Sequence, residues 1–447
     1  MSERVIKLGI DYGTSFSKIV YRDYGAAGGD KAYLLLTDNQ FRIPSAIGIE
    51  NEEFTFGVAP SRIRGESKTW HESVKMRVAG EVKGNYKQYC YGLLPTLPNE
   101  FLAKDLAILS VAFLITRGKE AIKEHLKNSS SQVVIAFTLG IPMSFFDDGE
   151  LRQAYLEIAT TAWELSKIFS VKDGLSFEDA SHHLNLAKQA VGYQRAVASE
   201  SVRDWIRSEA EAAIWWPFAS PSISDGPYAQ IDVGAGTTNI SIFRIVPRHY
   251  DGSWQKASVS FFGATSPPVG MDAFDKAIAE WKGVTNPLEW RGREDEVLFG
   301  NRGSQLVAIE LQQIWGAYER TIRIAFQRAL QSAQEQRAWD DHKIFFLGGG
   351  SNLSCVLGGL CISPLDQGRR LRRCELGVPS DLRLPDGTIV PDVMFPHVGV
   401  AYGLSNFSAE LPDVEMPSQV PPMAGPSSTP NLNPERYQLI QMDEWRY

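Results

Sequence analysis

Apolar positions recur along this chain with two different spacings, and the change from one to the other marks its elements. Residues 5–21 read as strand, turn, strand around Asp11-Tyr12-Gly13-Thr14-Ser15, and residues 228–246 repeat the signature. There a strand over 228–233 and another over 239–246 flank Gly234-Ala235-Gly236-Thr237-Thr238. Further strands are expected at 32–36, 41–49, 132–140 and 343–347. Leu102, Leu106, Leu109 and Phe113 switch to helical spacing and predict a helix over 102–127. A second helix is expected over 150–167, capped by Asp147 or Asp148 after Pro142 ends the preceding strand. Others are expected within 171–198, over 201–216 up to Pro217, over 271–281, over 311–329 and over 397–407. Residues 61–92, with Lys75 midway, read as polar and irregular, and 283–303 as loop. The fold class is therefore α/β.

Beyond residue 411 the composition shifts. Prolines at 412, 417, 421, 422, 426, 430 and 434 predict an extended or disordered linker, followed by an aromatic, apolar segment over 437–447. That segment reads either as a tethered docking peptide or as a strip packed back on the body. At 447 residues the chain is long enough for two lobes. Its 45 basic and 53 acidic residues, net charge -8, give no general attraction to nucleic acid or anionic membrane. Cys90, Cys355, Cys361 and Cys374 form no Cys-x-x-Cys pair, which argues against a zinc site or disulfide framework. The N-terminus has no apolar signal core, and the apolar run at 106–115 is too short to span a bilayer. A soluble cytoplasmic protein is expected.

The two glycine turns carry the candidate chemistry. A tight turn between strands presents successive backbone N–H groups to phosphate oxygens, with glycine wherever a side chain would obstruct. Thr14, Ser15, Thr237 and Thr238 would add hydroxyl donors, with Gly13, Gly234 and Gly236 giving close approach. Asp11 and Asp232, each at the end of an apolar strand, could hold the waters of a Mg²⁺ ion. There is no Gly-x4-Gly-Lys-Ser/Thr and no Gly-x-Gly-x-x-Gly opening a helix, so P-loop and Rossmann sites are not indicated.

In order, the motifs resemble those of the actin and sugar-kinase ATPase superfamily, most closely the nucleotide-binding domain of the DnaK-type heat-shock chaperones (heat shock protein 70), across roughly residues 5–405. Gly9-Ile10-Asp11-Tyr12-Gly13-Thr14 is similar to the first phosphate motif, and Ile231 to Thr238 to the second, with Ala235 where Gly is usual. Ile43-Pro44-Ser45, the segment around Lys75, and Ile141-Pro142-Met143-Ser144-Phe145-Phe146 resemble further family segments. So do Glu209-Ala210-Glu211-Ala212-Ala213 and Val400-Ala401-Tyr402-Gly403, similar to the two connecting motifs, and Gly348-Gly349-Gly350-Ser351, similar to the adenosine motif.

The resemblance implies an actin-like ATPase fold of two lobes, each a mixed β-sheet flanked by helices, with an ATP cleft between them. Lobe I would comprise 1–226, lobe II 227–395 with a reduced outer subdomain, a returning helix 396–410 and the tail 411–447. It also implies roles: Thr14 and Ser15 on the β- and γ-phosphates, Thr237 on the γ-phosphate, and Lys75 steadying phosphate and attacking water. Glu209 would orient that water, Asp11 and Asp232 would hold Mg²⁺ through water, and Gly349 and Gly350 would admit the nucleoside. The sequence departs from the family in three respects. The interval from Gly270 to Gly348 is short and contains no Arg-x-x-Ser adenine pocket; 162–198 reads as an insertion and a candidate partner surface; and no β-sandwich peptide-binding domain follows. The expected function is an ATP-binding, slowly hydrolysing conformational switch acting with a protein partner. A filament-forming actin-like ATPase is the alternative, and a small-molecule kinase a third reading.

Overall fold

Two apolar strands joined by a glycine turn bury most simply at the centre of a sheet, and both hairpins do so. The structure, a computed structural model, describes residues 3–26, 29–37, 39–58, 68–90, 96–98, 101–127, 132–170, 174–192, 194, 198, 200–219, 223–246, 249–250, 253–254, 258–266, 270–272, 275, 279, 283, 341–352, 370–374 and 376–420. They form a mixed α/β architecture whose two principal sheets have seven and six strands.

In the larger sheet Glu3–Asp11 pairs antiparallel with Phe16–Asp23 and parallel with Gln132–Ile141. Ile206–Ser208 extends the sheet beyond Gln132–Ile141, Lys31–Leu34 lies beyond Phe16–Asp23, and Leu382–Arg383 closes that side in parallel. The smaller sheet repeats every step. Gly226–Val233 pairs antiparallel with Thr238–Val246 and parallel with Asp341–Leu347, which in turn pairs parallel with Arg370–Arg373. Ser258–Thr265 lies antiparallel to Thr238–Val246, and Asp413–Glu415 closes the far side in parallel. The two sheets therefore share one six-strand order with the same sense at every junction. Register in the smaller sheet is pinned by aromatic cross-strand neighbours: Tyr228 opposes Phe243, and Phe243 opposes Phe261, rings 5.1 Å apart.

Helices cover both faces of the larger sheet, as alternation along Glu3–Asp11 requires. Leu8 faces the helix Ala103–His125, where a Cβ at Gly118 would meet it at 2.8 Å. Gly9 faces the helix Phe395–Leu404, whose Ala401 carbonyl lies 2.1 Å from where a Gly9 Cβ would be. The same helix crosses Glu209–Ala219 so closely that a Cβ on Gly403 would lie 1.8 Å from the Ala212 carbonyl. Ala212, Ala213, Leu347, Val400 and Leu404 form a small apolar cluster that joins these two helices to the smaller sheet.

Several elements differ from the sequence expectation. Residues 61–92 contain the strand Thr69–His71 and the helices Val74–Lys83 and Tyr86–Tyr89. The expected helix at 201–216 is a four-residue helix Val202–Trp205, the strand Ile206–Ser208 and the helix Glu209–Ala219. Pro217 does not stop that helix but lies inside it, two residues before its end at Ala219. The chain re-enters the larger sheet at Leu382–Arg383, ahead of the expected lobe boundary at 395. Residues 413–415 of the expected linker are a sheet strand. The expected helix at 311–329 and the segment 437–447 lie outside the described residues, as does all but residue 283 of the loop at 283–303. Among the described residues no helix is long and apolar enough to cross a membrane.

Candidate functional site

The two turns meet. A Cβ at Gly236 would lie 2.6 Å from Thr14 Cγ2, so only glycine lets them approach this closely. Gly234 N–H donates to the Thr237 carbonyl at 2.9 Å and closes the second turn, and Gly13 N–H donates to the Asp11 carbonyl at 3.1 Å in the first. Thr14, Thr237 and Thr238 are buried at this junction. Ser15 is half-buried and its carbonyl accepts from Ser45 N–H at 2.9 Å, which ties Ile43–Pro44 to the first turn. Met271 and Asp272 N–H groups donate to the Gly234 and Ala235 carbonyls at 3.0 and 2.8 Å, fixing the second turn from below.

Lys75 and Glu209 reach the junction from two different helices. Lys75 lies in the first turn of Val74–Lys83, which starts after Ser73 in the left-handed region at φ 57°. Its carbonyl accepts from Tyr155 Oη at 2.5 Å, which locks the turn to the helix Gly149–Leu165. Glu209 opens its helix immediately after the strand beside Leu139–Ile141, where a helix N-terminus favours a carboxylate. Gly140 leaves room for it, since a Cβ there would lie 3.3 Å from Glu209 Cγ. Lys75 Nζ and Glu209 Oε1 form an ion pair, both residues only 4 % exposed. Glu209 Oε2 accepts from Asn239 Nδ2 at 3.1 Å.

The remaining charges are Asp11, Asp232 and Lys18. Lys18 Nζ donates to Asp11 Oδ2 at 2.9 Å. Burial lowers the Lys18 pKa, but the pull of Asp11, then Asp232 and Glu209, more than offsets it and the net shift is upward. Burial, followed by repulsion from Asp11, pushes Asp232 up to about 6 against relief from Lys18 and Lys75. Burial likewise pushes Glu209 up to about 7, with Lys75 opposing and Asp11 and Asp232 adding to the rise. Three carboxyl groups thus face two ammonium groups, one more acid than base (3 − 2 = 1). Among the described residues no cation lies within ion-pair distance of Asp232.

Gly348 completes the wall beside Asp232. Its φ is +81°, and a Cβ would lie 2.3 Å from Asp232 Oδ1, so both conformation and space require glycine. Gly350 packs on Val233, whereas Gly349 is exposed and faces open space; for Ser351 only the backbone is described. The structure therefore gathers Asp11, Thr14, Lys75, Glu209, Asp232, Gly236, Thr237 and Gly348 around one junction. Sequence reasoning missed Lys18 and Asn239, although each follows its aspartate by the same seven positions (18 − 11 and 239 − 232).

Among the described residues no group of three or more His, Cys, Asp or Glu side chains is placed to hold a metal directly. The unbalanced charge at Asp232 instead fits a hydrated divalent cation that completes its shell with water and ligand oxygens, as Mg²⁺ does. Comparison with protein-family models and with curated proteins finds no match to the chain.

Proposed function

We propose that this junction binds the polyphosphate of ATP with Mg²⁺ and hydrolyses it slowly, and that the chain works as a nucleotide-driven conformational switch of the actin and heat shock protein 70 type, acting with a protein partner. The observation that carries the reading is the pairing of two matched sheets whose equivalent turns abut over a buried cluster of carboxylates and ammonium groups. Such a cluster is costly to bury unless something completes it.

The turn N–H groups and the hydroxyls of Thr14, Thr237 and Thr238 would receive phosphate oxygens. Asp232, with Asp11, would hold Mg²⁺ through water, and Mg²⁺ would supply neutralisation of phosphate charge. Glu209, with a pKa near neutrality, is suited to accept the proton of an attacking water, with Asn239 and Lys75 fixing its orientation. Unassisted turnover would be on the order of 10⁻⁴ to 10⁻² s⁻¹, as for other nucleotide switches lacking a trans-acting residue. The partner surface would include the helix Phe177–Ala190, which is anchored by Lys188 to Asp105 at 2.7 Å and leaves Leu186 exposed.

The test combines calorimetric ATP binding, single-turnover phosphate release and sedimentation with and without MgATP. Glu209→Gln is expected to lower phosphate release about 100-fold or more while leaving ATP affinity within about threefold. Failure to bind ATP at millimolar concentration refutes the reading, and a large ATP-dependent assembly turns it into the filament alternative.

A further inference from the structure

Arg42 is held by ring faces rather than by a carboxylate. It immediately precedes Ile43–Pro44, the short strand that pairs with Phe16 and Ser17 just past the first turn. Its Nη2 lies 3.5 Å from Nδ1 and 3.4 Å from Nε2 of His397. Those two nitrogens flank Cε1, so a group nearly equidistant from both rests over the imidazole face; in the ring plane it would press on Cε1. The guanidinium carbon also lies 5.1 Å from the centroid of the Phe41 ring. Both walls are anchored, since Phe41 packs against the cluster of Val20, Leu34 and Phe395, and His397 is buried in the first turn of its helix. The Arg42 side chain is exposed, yet its guanidinium is desolvated enough to lower its pKa, and among the described residues no carboxylate lies within ion-pair distance to offset that. The nearest other cation is Lys18, which Asp11 already holds at 2.9 Å. Burial first, then Arg42 and Lys18, lower the His397 pKa to about 4, so the ring is a neutral wall at pH 7.

We infer that Arg42, stacked against Phe41 and His397, is a binding site for a small doubly charged oxyanion such as inorganic phosphate, separate from the junction of the two turns. A guanidinium carries its five N–H donors around its edge, so rings against its flat side leave a fork for two oxygens of one ligand. The rings also fix the plane of that fork before a ligand arrives, which reduces the ordering cost of binding. A partly desolvated cation without a counter-ion is costly, and an oxyanion at the fork supplies the missing charge. Lys18 adds a second positive charge to the same region, which favours a doubly charged ligand over a single carboxylate.

The test is equilibrium dialysis of the full chain against labelled inorganic phosphate, in EDTA and without nucleotide. One site is expected, with a Kd of about 1 mM. Arg42→Gln should weaken it about tenfold or more, and Arg42→Lys, which keeps the charge but not the fork, nearly as much. Thr237→Val, a change at the junction, should leave phosphate affinity within about twofold. Binding lost in Thr237→Val and kept in Arg42→Gln puts the phosphate at the junction and overturns the inference. Binding lost in both variants or kept in both overturns it as well, as does an Arg42→Lys chain that binds like wild type. Displacement by equimolar acetate overturns the choice of a doubly charged ligand, and a wild-type chain that takes up no phosphate below about 20 mM overturns the site altogether. None of these outcomes decides ATP binding at the junction, whose own titration stands apart.

Discussion

Replacing Asp232 by asparagine is expected to stabilise the fold while disabling the site. The carboxyl is pushed from 3.8 to about 6, first by burial and next by Asp11. The folded state thus binds this proton more tightly than the unfolded chain, and the charged form costs stability. The group's contribution is fully present below pH 3.8, is lost as pH rises toward 6, and stays lost above it. Roughly two pKa units at 1.36 kcal/mol each give about 3 kcal/mol, and solvent screening of a half-buried group trims this to about 2 kcal/mol. Asparagine removes the charge and keeps the shape. Urea unfolding in EDTA should therefore show Asp232→Asn more stable than wild type by about 2 kcal/mol at pH 8, with the advantage shrinking toward zero near pH 4. In MgATP the order should reverse, because the bound metal stabilises only the wild-type carboxylate. A variant no more stable than wild type at pH 8, or one with the same advantage at both pH values, would refute the charge argument.

Other outcomes follow from the same geometry. Lys75→Met leaves Glu209 buried beside two further carboxylates and should cost about 3–5 kcal/mol, whereas Lys75→Met/Glu209→Gln should recover much of it; a double variant as unstable as the single one refutes the pairing. Gly403→Ala forces a methyl against the Ala212 carbonyl and should destabilise by about 3 kcal/mol, while Gly149→Ala, with open space around its Cβ, should melt near wild type. A chain ended at residue 411 loses the strand Asp413–Glu415 and the hydrogen bonds from Ser418 to Asp147. It should aggregate faster by light scattering than one ended at 420, since the edge of Ser258–Thr265 is then uncovered.

What the sequence makes legible depends on whether a residue's role is local. Both hairpins were readable because strand alternation and a glycine turn are local signals, and Gly149–Leu165 was readable because Asp148 caps it, accepting from the N–H groups of Glu150 and Leu151. Val74–Lys83 was missed because its start carries no side-chain cap and its polar residues Lys75 and Arg77 are buried, which inverts the usual pattern. Ile206–Ser208 was absorbed into a helix because three residues cannot display a period; its pairing with Leu139–Ile141 makes it a strand. Lys18 and Asn239 acquire meaning only through cross-strand register, which alignment of the two hairpins at equal spacing would have exposed. The sheet order itself, with its closing strands drawn from 382–383 and 413–415, has no local signal at all.

That late closure has a consequence for the chain as it is made. Lys31–Leu34 emerges early but receives its outer neighbour only from Leu382–Arg383, and Ser258–Thr265 waits for Asp413–Glu415. At about 5–20 residues per second, the larger sheet stays open on one side for on the order of tens of seconds during synthesis. Neither sheet can finish before its closing strand leaves the ribosome, so the nascent chain carries two unpaired edges at once until residues 382–383 and then 413–415 emerge.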